Sequence, residues 1–191
     1  MARASYVDAN YRYIAAYNEL NTRIAQRQQV LALYVSLVVA LLAGLVALRA
    51  DANTRLPVDW LVLGFPLASA CLVSLNYKSE RALTNLRHFL ATLERLDTGD
   101  DPLPGYNTDP RWAEGANHAR RFHDLTSAML VAAGNAVAVG VLMRLYPHRS
   151  AMDSALLWTV LSVAALCVLA LLWMPRFSYR PRHVADETPG S

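Results

Sequence analysis

Two histidines and an aspartate stand close together in NHARRFHD, residues 117–124, and these residue types can bind a metal or transfer protons. Metal-binding histidine pairs on a helix are typically four residues apart, which places both side chains on one face. His118 and His123 are five residues apart. The spacing therefore favours a solvated helix face over a metal or catalytic site. Because the chain also lacks a glycine-rich phosphate loop and a recognisable nucleophile motif, no enzymatic activity, metal or cofactor is expected.

A set of basic residues offers a different chemistry, the binding of phosphate groups. Guanidinium groups form forked, charge-assisted hydrogen bonds with phosphates, and nearby tyrosines could stack on a base. The candidates lie where polar segments meet apolar ones: Arg23, Arg27, Lys78, Arg81, Arg120 and Arg121. The same residues could bind anionic lipid headgroups, or could serve only to orient a membrane protein. The residues alone leave these alternatives open.

Asn135 is a third candidate, because it interrupts the apolar stretch AMLVAAGNAVAVGVL, residues 128–142. An amide without a partner in hydrocarbon is strongly unfavourable, so it should face another helix or water. Beside it, small residues recur every four positions and form a strip that another helix can approach closely: Ala128, Ala132, Ala136 and Gly140. Thr159 and Ser162 are further polar candidates. Asn135 could seal a helix interface or, in several chains together, line a pore.

Asn135 belongs to one of four runs that contain no Asp, Glu, Lys, Arg or His. The runs are Val30–Leu48, Trp60–Leu75, Leu125–Met143 and Ala155–Met174. Each has roughly 16 to 20 residues, and a helix needs roughly 20 to cross the hydrocarbon core of a bilayer. Only helices and closed barrels can span lipid. The predicted fold is all-α, a polytopic membrane protein with four transmembrane helices and cytoplasmic helical extensions.

The 18 basic residues are distributed unevenly around these runs. Only Arg49, Arg55, Arg144 and Arg149 lie in the two short connections. The others precede the first run, lie between the second and third, or follow the fourth. Because Lys and Arg are retained on the cytoplasmic side of short loops, both termini and the middle segment are predicted to be cytoplasmic.

The polar segments themselves have helical patterns. Residues 5–29 contain no Pro or Gly, and Tyr13, Tyr17, Leu20 and Ile24 form an apolar stripe, so this helix should continue into the first run. A helix over residues 76–96 should stop at DTGDDPLPGYNTDP, and Asp109 followed by Pro110 should begin the next. The predicted organisation is a cytoplasmic helix over 1–29, a transmembrane hairpin over 30–75, a cytoplasmic helical hairpin over 76–124, a second transmembrane hairpin over 125–174 and a disordered cytoplasmic tail over 175–191.

The segment YNELNTRIAQRQQVLALYVSLVVALLAGL, residues 17–45, resembles a family of membrane effectors from bacterial anti-phage systems. In the SLATT family and its four-span relatives, a cytoplasmic helix with a Tyr-Asn and Arg-Ile pattern passes directly into a two-span hairpin, and a basic helix follows. Tyr17, Asn18, Arg23 and Ile24 match that pattern, and NYKSERALTNLRHFLATLERL stands in the position of the basic helix. The resemblance covers residues 10–96, and the second hairpin departs from the two-span form.

The resemblance implies an oligomeric effector of the bacterial inner membrane that a nucleotide signal controls and that opens or disrupts the bilayer. The partners expected on this hypothesis are the lipid bilayer, further copies of the chain and a cyclic or linear oligonucleotide or cytosolic protein, but not duplex nucleic acid. The alternative hypothesis is a non-conducting anchor that holds a soluble partner through its tyrosine-rich helix. A small transporter is disfavoured, because the apolar runs contain no carboxylate for a proton relay.

Overall fold

The protein forms long helices throughout the part of the chain that a computed structural model describes, residues 8–50, 58–96, 105–146 and 154–179. The helices are α1 (Ala9–Ala50), α2 (Val58–Leu96), α3 (Pro110–Leu145) and α4 (Ser154–Trp173), and a short 3-10 helix, η1 (Met174–Phe177), follows α4 directly. No strand occurs within these ranges. The predicted all-α fold is therefore confirmed.

Four of these helices are long and apolar enough to cross a membrane. The first helix, α1, has 42 residues and would extend about 63 Å at 1.5 Å per residue. This is about twice the thickness of a bilayer's hydrocarbon core, so a large part of α1 must project beyond any membrane that its apolar half crosses.

Local sequence signals explain where the helices begin and continue. The carboxylate of Asp109 accepts a hydrogen bond from the backbone N–H of Arg111 at 2.9 Å, and Pro110 occupies the first position of α3. The predicted cap is thus confirmed. The absence of Pro and Gly from residues 9–29 lets α1 run without interruption into its apolar half.

α1 and α2 pack antiparallel along most of their length. The hydroxyl of Tyr13 near the start of α1 donates to Glu94 near the end of α2, at 3.2 Å. Further along, the hydroxyl groups of Tyr34 and Ser69 are 3.3 Å apart. Nearer the connection, a Cβ added at Gly44 would contact Leu61 at 3.2 Å. The two helices therefore form a hairpin that extends well past the apolar runs.

α3 lies parallel to α1, and η1 brings the chain back to the same end. Tyr146, just after α3, donates its hydroxyl to the backbone oxygen of Leu45 at 3.2 Å. At the end of η1, the backbone oxygen of Phe177 accepts from Thr84 of α2 at 3.2 Å. Residues 8–29, 76–96, 105–124 and 174–179 consequently share one end of the bundle, which we call the polar end.

The remaining part of the bundle, residues 30–48, 61–75, 125–143 and 155–173, has an outer surface that exposes many apolar side chains and an interior that is mostly apolar. Its interior contains large side chains that are almost completely buried: Leu45, Val62, Phe65, Leu72, Val131, Val160 and Leu171. Its outer surface exposes more apolar side chains, including Leu33, Val39, Leu67, Met129, Trp158, Leu166 and Leu169. An exposed apolar surface of this extent is typical of contact with lipid or with other chains.

A groove of about 390 Å³ lies on this apolar surface between α1 and α2. Its lining consists of aliphatic side chains with Tyr34 and Cys71, and no charged residue contributes to it. It therefore provides no charged group for binding a phosphate or for catalysis.

The segment after α4 corrects one sequence-based prediction, that of a disordered tail from residue 175. Tyr179 is 4% exposed, and the ring of Phe177 contacts Tyr77 edge-on with centroids 5.8 Å apart. Aromatic side chains separated by polar residues can pack against other rings or become buried without producing a helical period, so the sequence pattern missed Phe177 and Tyr179. The rest of the predicted tail, residues 180–191, lies outside the described residues.

Candidate functional site

A cluster of buried ion pairs joins α1, α2 and α3 where the polar end meets the apolar part. Arg27 of α1 donates from Nη1 to Oε2 of Glu80 at 3.1 Å and from Nη2 to Oδ1 of Asp124. Arg120 of α3 donates from Nη1 to the other oxygen of Glu80 at 2.9 Å. Two guanidinium groups therefore face two carboxylates, and each of the four residues is less than 10% exposed. We call Arg27, Glu80, Arg120 and Asp124 the ion-pair cluster.

The positions of these residues on their helices explain why they meet. Arg27 is three residues before the first apolar run, and Asp124 directly precedes the third. Because α1 and α3 run parallel, both side chains reach the same level of the bundle. Glu80 is five residues past the second run on the antiparallel helix, which brings it to that level from the other direction. The charges therefore fill the bundle interior at the place where the apolar core ends.

The ion-pair cluster changes the interpretation of the predicted phosphate-binding set. Arg27 and Arg120 are bonded to carboxylates inside the protein, and their buried guanidinium groups do not form an exposed phosphate site. Arg23 pairs with Glu19 one turn away at 2.7 Å and stays partly exposed. The three remaining members are exposed: Lys78, Arg81 and Arg121. The structure thus divides the set into an internal pair and surface residues.

The segment NHARRFHD, residues 117–124, is only partly the solvated helix face that its spacing predicts. Arg120 and Asp124 are 8% and 1% exposed, so the solvated-face prediction is wrong for these two residues. Their four-residue separation places them on one helix face, where Arg27 and Glu80 neutralise them. His118 is exposed, and the Nδ1 atom of His123 is 3.9 Å from Asp124. Within the described residues, no group of His, Cys, Asp or Glu is arranged to hold a metal.

Burial also affects the charged state of Arg120. Desolvation, together with the positive charges of Arg87 and Arg27, lowers its pKa to about 10, although Glu80 and Asp124 partly oppose the change. Arg87 lies on α2 and is 6% exposed, and burial lowers its pKa in the same way. Both arginines remain cationic at neutral pH.

A second polar group lies inside the apolar part and contains Asn135. The Asn135 amide donates to Oγ of Ser69 at 2.9 Å and to the backbone oxygen of Val131 at 2.8 Å. Ser69 in turn lies 3.3 Å from the hydroxyl of Tyr34. Three helices of one chain are linked in this way, and Asn135 is 2% exposed. The position of Asn135 fits an interhelical hydrogen bond within a closed core. Sequence patterns pointed to Asn135 but not to Ser69 or Tyr34 as its neighbours.

The predicted strip of small residues does not stay together with Asn135. Ala128 is buried, whereas Ala132, Ala136 and Gly140 are exposed. A Cβ added at Gly140 would meet nothing within 4 Å. The four-residue repeat drifts around a helix of 3.6 residues per turn, so one end of the strip turns outward. Thr159 and Ser162 are also exposed, and Thr159 donates to the backbone oxygen of Ala155 in its own helix.

Asn135→Leu is expected to lower the free energy of unfolding by about 1 kcal/mol, because one interhelical hydrogen bond is lost and Ser69 loses its donor. Reversible unfolding in detergent micelles measures this change. Ser74→Ala is the matched control, since the exposed Ser74 hydroxyl bonds only to its own helix and its loss should change stability little. Equal effects of the two substitutions would contradict the interhelical role.

Glu94, near the end of α2, accepts hydrogen bonds from several elements of the polar end. Its carboxylate accepts from the side-chain amide of Asn107 at 2.7 Å and from the backbone N–H of the same residue at 2.9 Å, which anchors the turn before α3. Tyr13 donates to the same carboxylate, and burial together with Glu94 raises the pKa of Tyr13. Tyr179 donates to the backbone oxygen of Asn107 at 2.9 Å. The start of α1, the turn and the segment after η1 are thereby joined.

The Tyr179 contact predicts a pH dependence. Burial raises the pKa of Tyr179, so the neutral phenol is favoured in the folded state. Its contribution to stability is therefore complete below the ordinary tyrosine pKa of about 10 and is lost as the pH rises through the raised value. Ultraviolet titration of phenolate absorbance should show late-ionising tyrosines, Tyr13 among them, and Tyr179→Phe should remove one of these late steps. If all steps persist in Tyr179→Phe, the late group lies elsewhere.

Comparison of the chain with protein-family models, with curated proteins and with solved structures found no match. What the protein does must therefore be argued from the geometry of its own residues. The described side chains offer a neutralised ion-pair cluster that ties three helices together, a closed hydrogen-bonded core and an outward strip of small residues.

Proposed function

We propose that this chain is an oligomeric effector of the bacterial inner membrane, in which a nucleotide signal or a partner protein acts on the polar end and opens or disrupts the bilayer. The polar end would lie in the cytoplasm, as the distribution of arginines predicts. The observation that carries the proposal is the ion-pair cluster. It ties α1, α2 and α3 together at one level, so a displacement of their projecting ends would be transmitted directly to the membrane-crossing parts.

The closed core supports assembly of several chains. Asn135, Ser69 and Tyr34 are hydrogen-bonded to one another inside a single chain that is packed with apolar side chains, and only the Asn135 side-chain oxygen among them lacks a partner within the described residues. A passage for ions would therefore have to form between chains. The outward residues Ala132, Ala136 and Gly140 provide a surface on α3 where a second helix could approach closely.

The test is permeability. Purified protein reconstituted into liposomes should release an entrapped ion or dye, and induced expression in bacteria should depolarise the inner membrane. Crosslinking in the same liposomes should reveal species larger than one chain. If the protein stays monomeric and the liposomes stay sealed in the presence of cell extract and nucleotides, the effector proposal fails.

A second candidate function is a non-conducting anchor for a soluble protein. Apolar side chains near the start of α1 favour it, since Tyr11, Ile14 and Tyr17 are 74%, 58% and 47% exposed at the polar end. Burial of such a surface by a partner would be favourable. Recovery of one stoichiometric soluble protein that Tyr17→Glu abolishes, with sealed liposomes, would support the anchor.

A further inference from the structure

Arg87 is a buried guanidinium for which the described residues supply no partner. It lies on α2 two helical turns beyond Glu80 and is 6% exposed. It forms no hydrogen bond or ion pair with any described residue, and its Nε atom is buried and unpaired. A buried charge without a hydrogen-bonded counter-charge is strongly unfavourable. Glu80 acts on Arg87 only through its charge, and the described residues supply no hydrogen-bonded anion to its guanidinium group.

The charges around Arg87 are unbalanced in the same direction. Arg27 and Arg120 are neutralised by Glu80 and Asp124, so among these five described residues Arg87 carries the one positive charge in excess. Arg87 lies close enough to Arg120 to influence its protonation. The Nη2 atom of Arg120 is also buried and unpaired. Two neighbouring guanidinium groups thus have N–H donors without acceptors.

Neighbouring elements add further polar groups at this level. Arg87 interacts electrostatically with Tyr106, Glu80 and Tyr179. The hydroxyl of Ser178, the residue before Tyr179, is buried and has no hydrogen-bond partner among the described residues. Unpaired donors next to a positive charge that no hydrogen-bonded carboxylate neutralises are the chemistry of an anion site.

We infer that Arg87 and Arg120 bind one phosphate-type oxyanion at the polar end. Forked guanidinium donors match the tetrahedral oxygens of a phosphate, and its negative charge would balance the excess positive charge. The site differs from the exposed Lys78, Arg81 and Arg121, and it does not depend on whether the protein permeabilises membranes.

The distance along α2 between the apolar part and Arg87 indicates the source of the phosphate. Arg87 is 12 residues beyond Leu75, the end of the second apolar run, which corresponds to about 18 Å along the helix. The headgroup layer of a bilayer is only about 5–7 Å deep on each side. A soluble phosphate-bearing molecule therefore reaches Arg87 more readily than a lipid headgroup.

The experiment measures thermal unfolding of the full chain in an uncharged maltoside detergent at pH 7, with inorganic phosphate replacing chloride at constant ionic strength. At a concentration 100-fold above Kd, phosphate should raise Tm by roughly 5–10 °C. Arg87→Gln should abolish this response. Arg81→Gln is the matched control on the exposed face of the same helix and should respond like the unaltered protein.

A second readout separates loss of the ligand from loss of the fold. Without phosphate, Arg87→Gln should have a Tm equal to or above that of the unaltered protein, because an unpaired buried charge has been removed. A lower Tm in chloride would show that Arg87 has a stabilising partner inside the chain, and would overturn the inference. A phosphate response that Arg87→Gln retains would also overturn it.

A further set of measurements, in lipid nanodiscs, identifies the source of the phosphate. The same proteins in phosphatidylcholine nanodiscs, with and without phosphatidylglycerol, are compared in phosphate-free buffer. A response to phosphatidylglycerol alone that depends on Arg87 would assign the oxyanion to a lipid. No response to either phosphate or phosphatidylglycerol in the unaltered protein would exclude the site.

Discussion

Glu80→Gln is expected to lower the free energy of unfolding by about 3–5 kcal/mol, the largest effect of any single substitution considered, because it leaves two buried guanidinium groups without their shared carboxylate. The side chain of Glu80 is 1% exposed, so water cannot reach this position to solvate the two guanidinium groups in place of the carboxylate. Gln preserves the shape of the side chain, but it removes the negative charge and replaces one of the two accepting oxygens with an NH2 donor. The loss would therefore report the charge and hydrogen bonds of Glu80 and not a cavity.

Unfolding by a denaturing detergent or by urea, in mixed micelles of constant composition, measures this loss. Glu19→Gln is the control, because Glu19 forms an ion pair with Arg23 at the surface, with side chains 45% and 39% exposed. Exposed pairs of this kind contribute only about 0.3–0.5 kcal/mol. A loss below about 1 kcal/mol for Glu80→Gln would show that the ion-pair cluster does not hold the three helices together.

Gly140→Leu is expected to weaken association between chains by at least about tenfold and to reduce liposome permeability in parallel, which corresponds to about 1.4 kcal/mol or more. A side chain at this position meets nothing within 4 Å in its own chain, so the fold should be unaffected. A leucine would, however, keep a second helix from approaching the outward strip of α3 closely.

Two controls make the result specific. Ala165→Leu adds a large side chain at an exposed position of α4 and should leave association unchanged. Gly134→Leu should instead destabilise the single chain, since even a Cβ there would lie 3.3 Å from the Tyr34 hydroxyl and 3.4 Å from Val38. If Gly140→Leu assembles and permeabilises like the unaltered protein, α3 does not provide the interface.

Whether the effector or the anchor proposal holds can be decided without knowledge of the signal. The effector requires contact between copies of the chain and loss of the membrane barrier. The anchor requires neither, and depends on the exposed apolar side chains near the start of α1. Gly140→Leu and Tyr17→Glu change opposite ends of the bundle, so each should affect only one of the two activities.

The sequence was sufficient to predict the four long α-helices, though not η1, because their apolar runs and the cap of α3 depend on local chemistry. Charge-free runs of sufficient length indicate helices that could span a membrane, and Asp109 with Pro110 marks the start of α3. Similar reasoning identified Asn135 as a polar group that needs a partner. It could not identify Ser69 as that partner, because the two residues are 66 positions apart and meet only through the packing of α2 against α3.

The charged residues show which features the sequence determined and which features only the tertiary structure decided. Composition and spacing by themselves determined an all-α chain with four apolar helices, since the solvation of each segment is a local property. They did not reveal that Arg27 and Arg120 point inward to Glu80 and Asp124 while Arg81 and Arg121 stay outside. An arginine has the same charge in either place, and whether it faces water or a carboxylate depends on how distant helices align. The buried guanidinium of Arg87, which has no hydrogen bond to a described residue, became visible only from that alignment.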